Sequence, residues 1–285
     1  MKKIIAVAVA SAFALPAFAA DVSVSGDVEY IYTNSDSSTT GSTGDQDVVV
    51  AGTESFDDGT TVTASIELDD GSVDSTLTIA MPMATVEVGE DVGTPVAKYD
   101  ELSDTAEAGG IGSATGVSSN VGIRITPNTG VEGLSVTLGF ADDDDNAGKT
   151  ITGYAAKYAM GNFALSVGST DQEDTDNEEG FVGVTAAFGP ISVAYSQFNN
   201  YDFTADEDLE VVGLKYNYGP GNFFVETGER EDATGATHEE TAYGVSYKMY
   251  NVNFYIVAED EKDASVTGTT STDVNKTLIG VEYAF

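Results

Sequence analysis

The chain has 285 residues, with 48 acidic and 11 basic side chains, no cysteine, and a formal net charge of -37. This acidic balance argues against nucleic acid and anionic membrane surfaces as partners, and the lack of cysteine excludes disulfide bonds and thiol catalysis. The 31 glycines, 14 tyrosines and 13 phenylalanines favour β-structure.

The first residues have the three parts of an export signal. Lys2 and Lys3 precede an apolar stretch over residues 4–15, and Ala17-Phe18-Ala19 forms a small-x-small cleavage site. We predict a secretory signal peptide over residues 1–19 and one mature domain over residues 20–285. The mature part has no apolar run near the roughly 18 residues that a spanning helix requires. If it enters a membrane, it must do so as a closed β-barrel.

Segments in which apolar and polar residues alternate recur along the mature chain and predict antiparallel strands. Their even number returns both chain ends to the same side of a barrel. The sixteen predicted strands lie at 22–33, 47–56, 60–68, 75–81, 84–89, 119–126, 134–141, 149–160, 163–169, 181–188, 191–198, 211–218, 223–228, 241–249, 252–259 and 276–285.

The connections between these strands alternate in length. Short turns that contain Gly, Pro or Asn lie at 161–162, 189–190 and 250–251, as tight hairpins require. The intervening connections, such as 170–179 and 230–240, are long and acidic. Outer-membrane barrels have short turns at one end and long loops at the other, whereas a soluble sandwich has no reason to sort its loops by length.

The alternation also sorts side chains onto two faces. In the last strand, Ile279, Val281 and Tyr283 share one face, while Gly280 and Glu282 share the other. A half-solvated sheet of a soluble protein is one interpretation, and a barrel with its apolar face towards lipid is the other. Aromatic residues near the predicted strand ends favour the barrel, because they are typical of a membrane interface. These are Tyr154, Tyr158, Phe163, Phe188, Tyr195, Tyr216, Tyr218, Phe223, Tyr247 and Tyr283.

Several stretches resemble the general porins of Gram-negative outer membranes. "VSVSGDVEY" is similar to the first strand of that family, and "VVVAGTESFDDGTTVTASIEL" to its second hairpin. "MATVEVGEDVGTP" resembles the strand that leads into the long third loop, and "NVGIRITPNTGVEGLSVTLGF" a recurrent hairpin. Val281, Tyr283 and the final Phe285 resemble the terminal signal read by the barrel-assembly machinery.

The resemblance implies an all-β transmembrane barrel of sixteen strands with short periplasmic turns and long outer loops. It implies a homotrimer in the outer membrane of a Gram-negative bacterium, in contact with outer-membrane lipids and lipopolysaccharide. Small hydrophilic solutes and ions would diffuse passively through its lumen. The resemblance also implies that residues 90–118 fold into the lumen as a constriction loop, which suits so long a connection.

The predicted channel lining departs from the arginine-rich walls of many family members. Residues two positions apart in a strand share a face, and we call the odd or even numbering of a face its parity. Parity places Glu87 with Thr85 on the lumen side, and acidic rings favour cations. We therefore expect a cation-preferring pore, although these carboxylates could instead only solubilise the loops. The residues predicted to line the pore and its constriction are Glu67, Glu87, Glu90, Asp91, Asp100, Glu101, Asp104, Glu107, Arg124, Lys157 and Lys215.

The same parity assigns further charges to the lumen. For Arg124, two roles remain open: a lumen charge that offsets the acids, or a structural tie near its hairpin. The additional lumen residues are Asp27, Glu29, Glu226, Glu259 and Glu282, with Lys248 and Lys276 as opposing charges.

The sequence shows no catalytic constellation, and we predict no enzyme activity, cofactor or metal. His238 stands in the predicted loop "ATGATHEET" without a neighbouring nucleophile. "GGIGSATG" lacks the strand-to-helix context of a dinucleotide site. "DDDDNAG" from Asp142 starts like a calcium loop, but Ala147 and Gly153 stand where a glycine and a glutamate are required. Weak binding of divalent cations by the outer loops stays open.

Two alternatives to a general channel remain at this point. A secreted acidic adhesin or surface-layer protein would explain the charge and the Thr-rich loops, but not an export signal combined with a terminal phenylalanine. A substrate-specific channel is a further alternative that the sequence does not exclude, since specificity depends on how the third loop packs.

Overall fold

The strands meet in one closed sheet. The computed structural model describes residues 21–35, 39–69, 72–89, 92, 119–143, 150–173, 178–200, 207–231, 236–264 and 272–285. Among these residues, no helix has the length and hydropathy needed to cross a bilayer.

Sixteen strands form within the described part of the chain, and each pairs antiparallel with its neighbours in sequence, while the last pairs with the first. This confirms the predicted sixteen-stranded antiparallel barrel. The strands are β1 Asp21–Ser35, β2 Thr39–Ser55, β3 Thr61–Asp69, β4 Ser72–Met81, β5 Ala84–Gly89, β6 Ser119–Pro127, β7 Leu134–Asp143, β8 Thr150–Met160, β9 Phe163–Gln172, β10 Glu178–Phe188, β11 Ile191–Asn199, β12 Asp208–Asn217, β13 Gly221–Glu231, β14 Thr237–Met249, β15 Val252–Ala264 and β16 Thr272–Ala284.

The two ends of the chain close the barrel. The register of β1 and β16 runs from Asp27 opposite Ala284 to Ser35 opposite Lys276. Beyond this ladder, the Phe285 amide donates to the Gly26 carbonyl at 2.9 Å, and the Gly26 amide donates to the Phe285 carbonyl at 3.2 Å. The C-terminal residue thus extends the seam by one more pair and leaves no unpaired strand edge there.

The two faces of the barrel differ in exposure as the alternation predicts. Along β10, Phe181 is 2% exposed, whereas Val182 and Val184 are 43% and 41% exposed. In an isolated closed barrel the chain can bury side chains only on its concave side, so the buried parity faces inward. The outer face therefore carries the exposed apolar side chains, among them Leu138, Leu165, Leu214 and Ile256.

The hairpin turns at one end are short. Gly161 and Gly189 have φ angles of 61° and 62°, a backbone conformation that favours glycine and suits the tight turns after β8 and β10. Outward-facing aromatic residues lie beside these turns, and the rings of Phe163 and Phe188 meet edge to face with centroids 5.7 Å apart. Such a position matches the aromatic belt of a membrane interface.

Several strands are longer than the alternation predicts. β2 begins at Thr39, although the predicted strand began at 47, and β15 continues to Ala264 rather than ending at 259. The predicted long connections are correspondingly shorter, since 173–177 alone joins β9 to β10. The alternation of apolar and polar residues identifies only the part of a strand that faces lipid. Backbone pairing continues past that part into polar segments, which the pattern does not detect.

Candidate functional site

Charged side chains line the concave face of the barrel. Antiparallel partners share a face, so the register fixes which charges lie together on the wall. Carboxylates outnumber basic groups among the inward positions of the described strands. The acidic positions are Asp27, Glu29, Asp47, Glu67, Asp74, Glu87, Glu179, Glu226, Glu240, Glu259, Glu261 and Glu282, and the basic positions are Arg124, Lys157, Lys215, Arg230, Lys248 and Lys276.

Glu87 and Arg124 form a two-pronged ion pair on this wall. They are direct partners on β5 and β6. The Arg124 Nε donates to Glu87 Oε2 at 2.8 Å, and its Nη2 donates to Oε1 at 3.0 Å. Each side chain is 18% exposed. This fork-to-fork geometry fixes both side chains against the wall and cancels most of the Glu87 charge. Arg124 is thus both a wall charge and a tie between two strands.

The long connection after β5 begins on the concave face. Val92 is 5% exposed, and a Cβ built on the inward Gly122 would lie 2.8 Å from the Val92 carbonyl oxygen and 3.5 Å from the Ala141 Cβ. Glycine at 122 therefore leaves the space in which the chain at Val92 turns against the wall. The other residues predicted for the constriction lie outside the described residues: Glu90, Asp91, Asp100, Glu101, Asp104 and Glu107.

The remaining residues predicted to line the pore are distributed around the wall. Glu67 on β3 is opposite Asp74, so two carboxylates are adjacent there. Lys157 and Lys215 both border a cavity of about 490 Å³ on the inner side of β8 to β12, whose other walls include Thr185 and Ser192. The barrel thus has a basic patch near its short turns and acidic patches on other sectors.

A second ion pair connects the last two strands. The Lys276 Nζ donates to Glu259 Oε2 at 2.7 Å across the β15–β16 register. The Glu259 side chain is only 2% exposed and that of Lys276 is 35% exposed. Glu226, which faces the same sector from β13, is 1% exposed. This sector therefore holds two buried carboxylates, of which Glu259 is paired with Lys276.

The inner face of β10 to β16 is less polar than the sequence predicts. A cluster of buried apolar side chains covers it, and within it the Phe181 and Phe198 rings are in contact, with centroids 5.0 Å apart and planes tilted by 35°. These side chains alternate with outward apolar residues, so the strands read as continuous apolar runs. The cluster contains Phe181, Ala194, Phe198, Leu209, Val211, Phe224, Ala242, Tyr255, Val257 and Leu278.

Two of these aromatic rings occupy the space beside glycines of the neighbouring strand. A Cβ on Gly280 would overlap the Tyr255 ring, and a Cβ on Gly244 would meet the Phe224 ring at 2.5 Å. The Tyr255 hydroxyl reaches across β16 and donates to the Glu29 carboxylate on β1. Such a ring covers backbone that the glycine leaves exposed. An inward glycine opposite an inward aromatic residue is the sequence signal that could have revealed these pairs.

His238 lies on a strand rather than in a loop, contrary to the sequence prediction. It is the second residue of β14 and is opposite Arg230 of β13. Backbone pairing continues into this polar segment, which alternation alone does not detect. Arg230 is also 3.4 Å from the Glu207 carboxylate. On its other side, His238 is the register partner of Asp263 of β15, so residues with ionisable side chains flank it on both neighbouring strands.

Comparisons with known proteins agree with this architecture. A family model described as Gram-negative porin matches residues 6–285. The anion-selective porin from Comamonas acidovorans has a TM-score of 0.74 and 17% identity, and the match covers 93% of this chain and 100% of that one. A multiply substituted mutant of the Rh. blastica porin has the same TM-score and coverage, with 19% identity. No curated protein sequence matches the chain.

Proposed function

The chain belongs to the Gram-negative porin family, whose members are channels and not enzymes, and we propose that it is an outer-membrane diffusion pore with a preference for cations. Small hydrophilic solutes would pass through its lumen without a binding or chemical step. Sixteen strands leave room for an aqueous channel rather than a packed interior. The apolar outer face supports insertion in lipid, and the charged inner face supports a water-filled path.

The observation that carries the cation preference is the charge on the inner wall. Acidic positions exceed basic ones among the described inward residues, and in two places the register sets one carboxylate opposite another, at Glu67 with Asp74 and at Glu29 with Glu282. A lumen lined by one sign of charge raises the local concentration of the opposite ion. Glu87 contributes less than its position suggests, because Arg124 offsets it.

The anion-selective neighbour does not decide the selectivity of this chain. Its name describes that protein, and at 17% identity the likeness extends to the fold alone. Selectivity depends on side chains of the wall, which a shared backbone leaves undetermined. We therefore derive the preference of this chain from its own inner charges.

The remaining parts of the proposal concern biogenesis and the constriction. Residues 1–19 would direct export as a signal peptide, and residues 20–285 would form the single barrel domain. Val281, Tyr283 and Phe285 would serve as the signal for the barrel-assembly machinery, and the mature protein would form a homotrimer among lipids and lipopolysaccharide. Glu90, Asp91, Asp100, Glu101, Asp104 and Glu107 would line a constriction built from residues 90–118.

Reconstitution into planar bilayers tests the proposal. Purified protein should produce stepwise conductance increments, and its reversal potential in a KCl gradient should have the sign of a cation-preferring pore. Heat-denatured protein from the same preparation is the control and should produce no steps. A steady absence of conductance from folded protein would refute the channel, whereas a reversal potential of the opposite sign would refute only the cation preference.

A further inference from the structure

Three carboxylates converge on the inner wall between β14 and β15. Glu240 is the direct partner of Glu261 across the two strands. Glu259 precedes Glu261 by two residues and therefore shares its face. One carboxylate oxygen from each of these residues lies within 4.8 Å of the others. The barrel thus brings together three carboxylates from two adjacent strands.

Glu259 provides a second observation that points to a ligand. Its side chain is 2% exposed, and Oε2 accepts a hydrogen bond from Lys276. The other oxygen, Oε1, is buried and has no hydrogen-bond partner among the described residues. Buried carboxylate oxygens are normally satisfied, and an exception indicates a missing water or ion. The unsatisfied atom belongs to the residue that links the two carboxylates to the lysine.

The local charge also favours a cation. Within the described strands, the Lys276 ammonium group pairs with Glu259, the buried member of the cluster. Three mutually close carboxylates therefore lie beside the single positive charge of Lys276. Buried charges are stable when they are paired or when they coordinate a metal. A divalent cation would balance this group more fully than Lys276 does.

We propose that Glu240, Glu259 and Glu261 bind a calcium ion on the inner wall of the barrel. Carboxylate oxygens are the ligands that hard cations prefer, and water from the lumen can complete the coordination. Calcium accepts oxygen ligands in flexible, irregular arrangements, which suits three carboxylates supplied by two neighbouring strands. Magnesium demands near-octahedral geometry and gives up its water reluctantly, so it suits this cluster less well.

The bound ion would alter permeation as well as local charge. The site faces the lumen, so an occupied site removes negative charge from the wall past which ions diffuse. Calcium would therefore reduce the preference of the pore for monovalent cations. This consequence rests on the proposed channel function, but binding itself requires only the folded barrel.

Calcium titration of the purified barrel in detergent tests the site, with calorimetry as the readout. The wild type should show one saturable site per chain. The double variant Glu240→Gln with Glu261→Gln should lose at least tenfold in affinity. Glu239→Gln with Asp260→Asn is the matched control, because those residues lie on the outer parity of the same strands. Its affinity should not change.

A third variant tests the role of Lys276. Lys276→Gln removes the competing ammonium group and should tighten calcium binding several-fold. No saturable calcium binding by the folded wild type would overturn the proposal, and so would equal losses in the double variant and its control. Saturable binding of magnesium but not calcium would also overturn it, since the cluster would then select the ion with the stricter geometry.

The two proposals can fail separately. Calorimetry in detergent measures the ion site without any conduction, and gel mobility before and after boiling shows that each variant is folded. A conducting barrel that binds no calcium would refute the proposed ion site and support the proposed channel. A barrel that binds calcium but never conducts would refute the proposed channel and support the proposed ion site.

Discussion

The Glu87–Arg124 pair allows a reciprocal test of how wall charges control ion preference. Glu87→Gln leaves the Arg124 charge without its counterion, and Arg124→Gln leaves the Glu87 charge without its own. The glutamine side chain is close to glutamate in size and can still accept one hydrogen bond, so the first variant should keep the wall geometry. The double variant restores a neutral pair. The two single variants should therefore shift selectivity in opposite directions.

The size of each shift follows from the distance between the wall and a passing ion. A unit charge about 5 Å from an ion in water contributes about 0.8 kcal/mol. Screening at about 0.1 M salt, where the Debye length is about 10 Å, reduces this to about 0.5 kcal/mol. That energy corresponds to about a twofold change in local ion concentration. Because cation and anion respond oppositely, their permeability ratio should change by about fivefold.

Reversal potentials in a KCl gradient measure this ratio directly. Glu87→Gln should lower the ratio of cation to anion permeability, Arg124→Gln should raise it, and the double variant should return it close to the wild-type value. Glu54→Gln is the control, because its side chain has the outer parity of β2. Equal ratios in all variants, or shifts of the same sign in both single variants, would refute the assignment of this pair to the conduction path.

Three further predictions concern the barrel wall and its closure. Gly280→Ala should destabilise the barrel by about 1–3 kcal/mol, because the new methyl group overlaps the Tyr255 ring. Gly52→Ala is the control and should have little effect, because a methyl group there has nothing within 4 Å. The melting temperature in detergent checks both variants, and equal melting temperatures would contradict the packing of Tyr255 against Gly280. Tyr255→Phe should lower stability by about 1 kcal/mol, since it removes the hydrogen bond to Glu29, and an unchanged midpoint of chemical unfolding would count against it. Deleting Phe285 should reduce assembly in the outer membrane more than Phe285→Ala does, because the substitution keeps the two backbone hydrogen bonds that Phe285 makes with Gly26. Equal yields of folded barrel in membrane fractions would show that these two hydrogen bonds do not contribute to assembly.

The sequence was sufficient to predict the strand number and the separation of the two faces. Both depend on a period of two, which persists wherever one face meets lipid and the other meets water. The same parity places Glu87 and Arg124 on one face. It does not show that they are partners, because the register of β5 and β6 depends on how the long connection between them returns.

The inner aromatic residues illustrate what alternation misses. Phe181 and Val182 are both apolar, so nothing in their own strand shows that one is buried inside and the other is exposed outside. The distinction comes from neighbouring strands, where small inward residues such as Gly280 make room for a ring. The convergence of Glu240 with Glu259 similarly depends on the register between β14 and β15, and Glu240 lies in a segment predicted to be a loop.

Cysteine accessibility on adjacent residues of β10 tests the inside-out arrangement most directly, since the chain has no native cysteine. Thr185 borders the inner cavity, and Val184 is 41% exposed on the outer face. In lipid vesicles, a charged, water-soluble thiol reagent should label Thr185→Cys and leave Val184→Cys unlabelled. In planar bilayers, the same reagent should change the conductance of the Thr185→Cys channel alone. Rapid labelling of Val184→Cys with protection of Thr185→Cys would contradict a lumen of water enclosed by an apolar outer face.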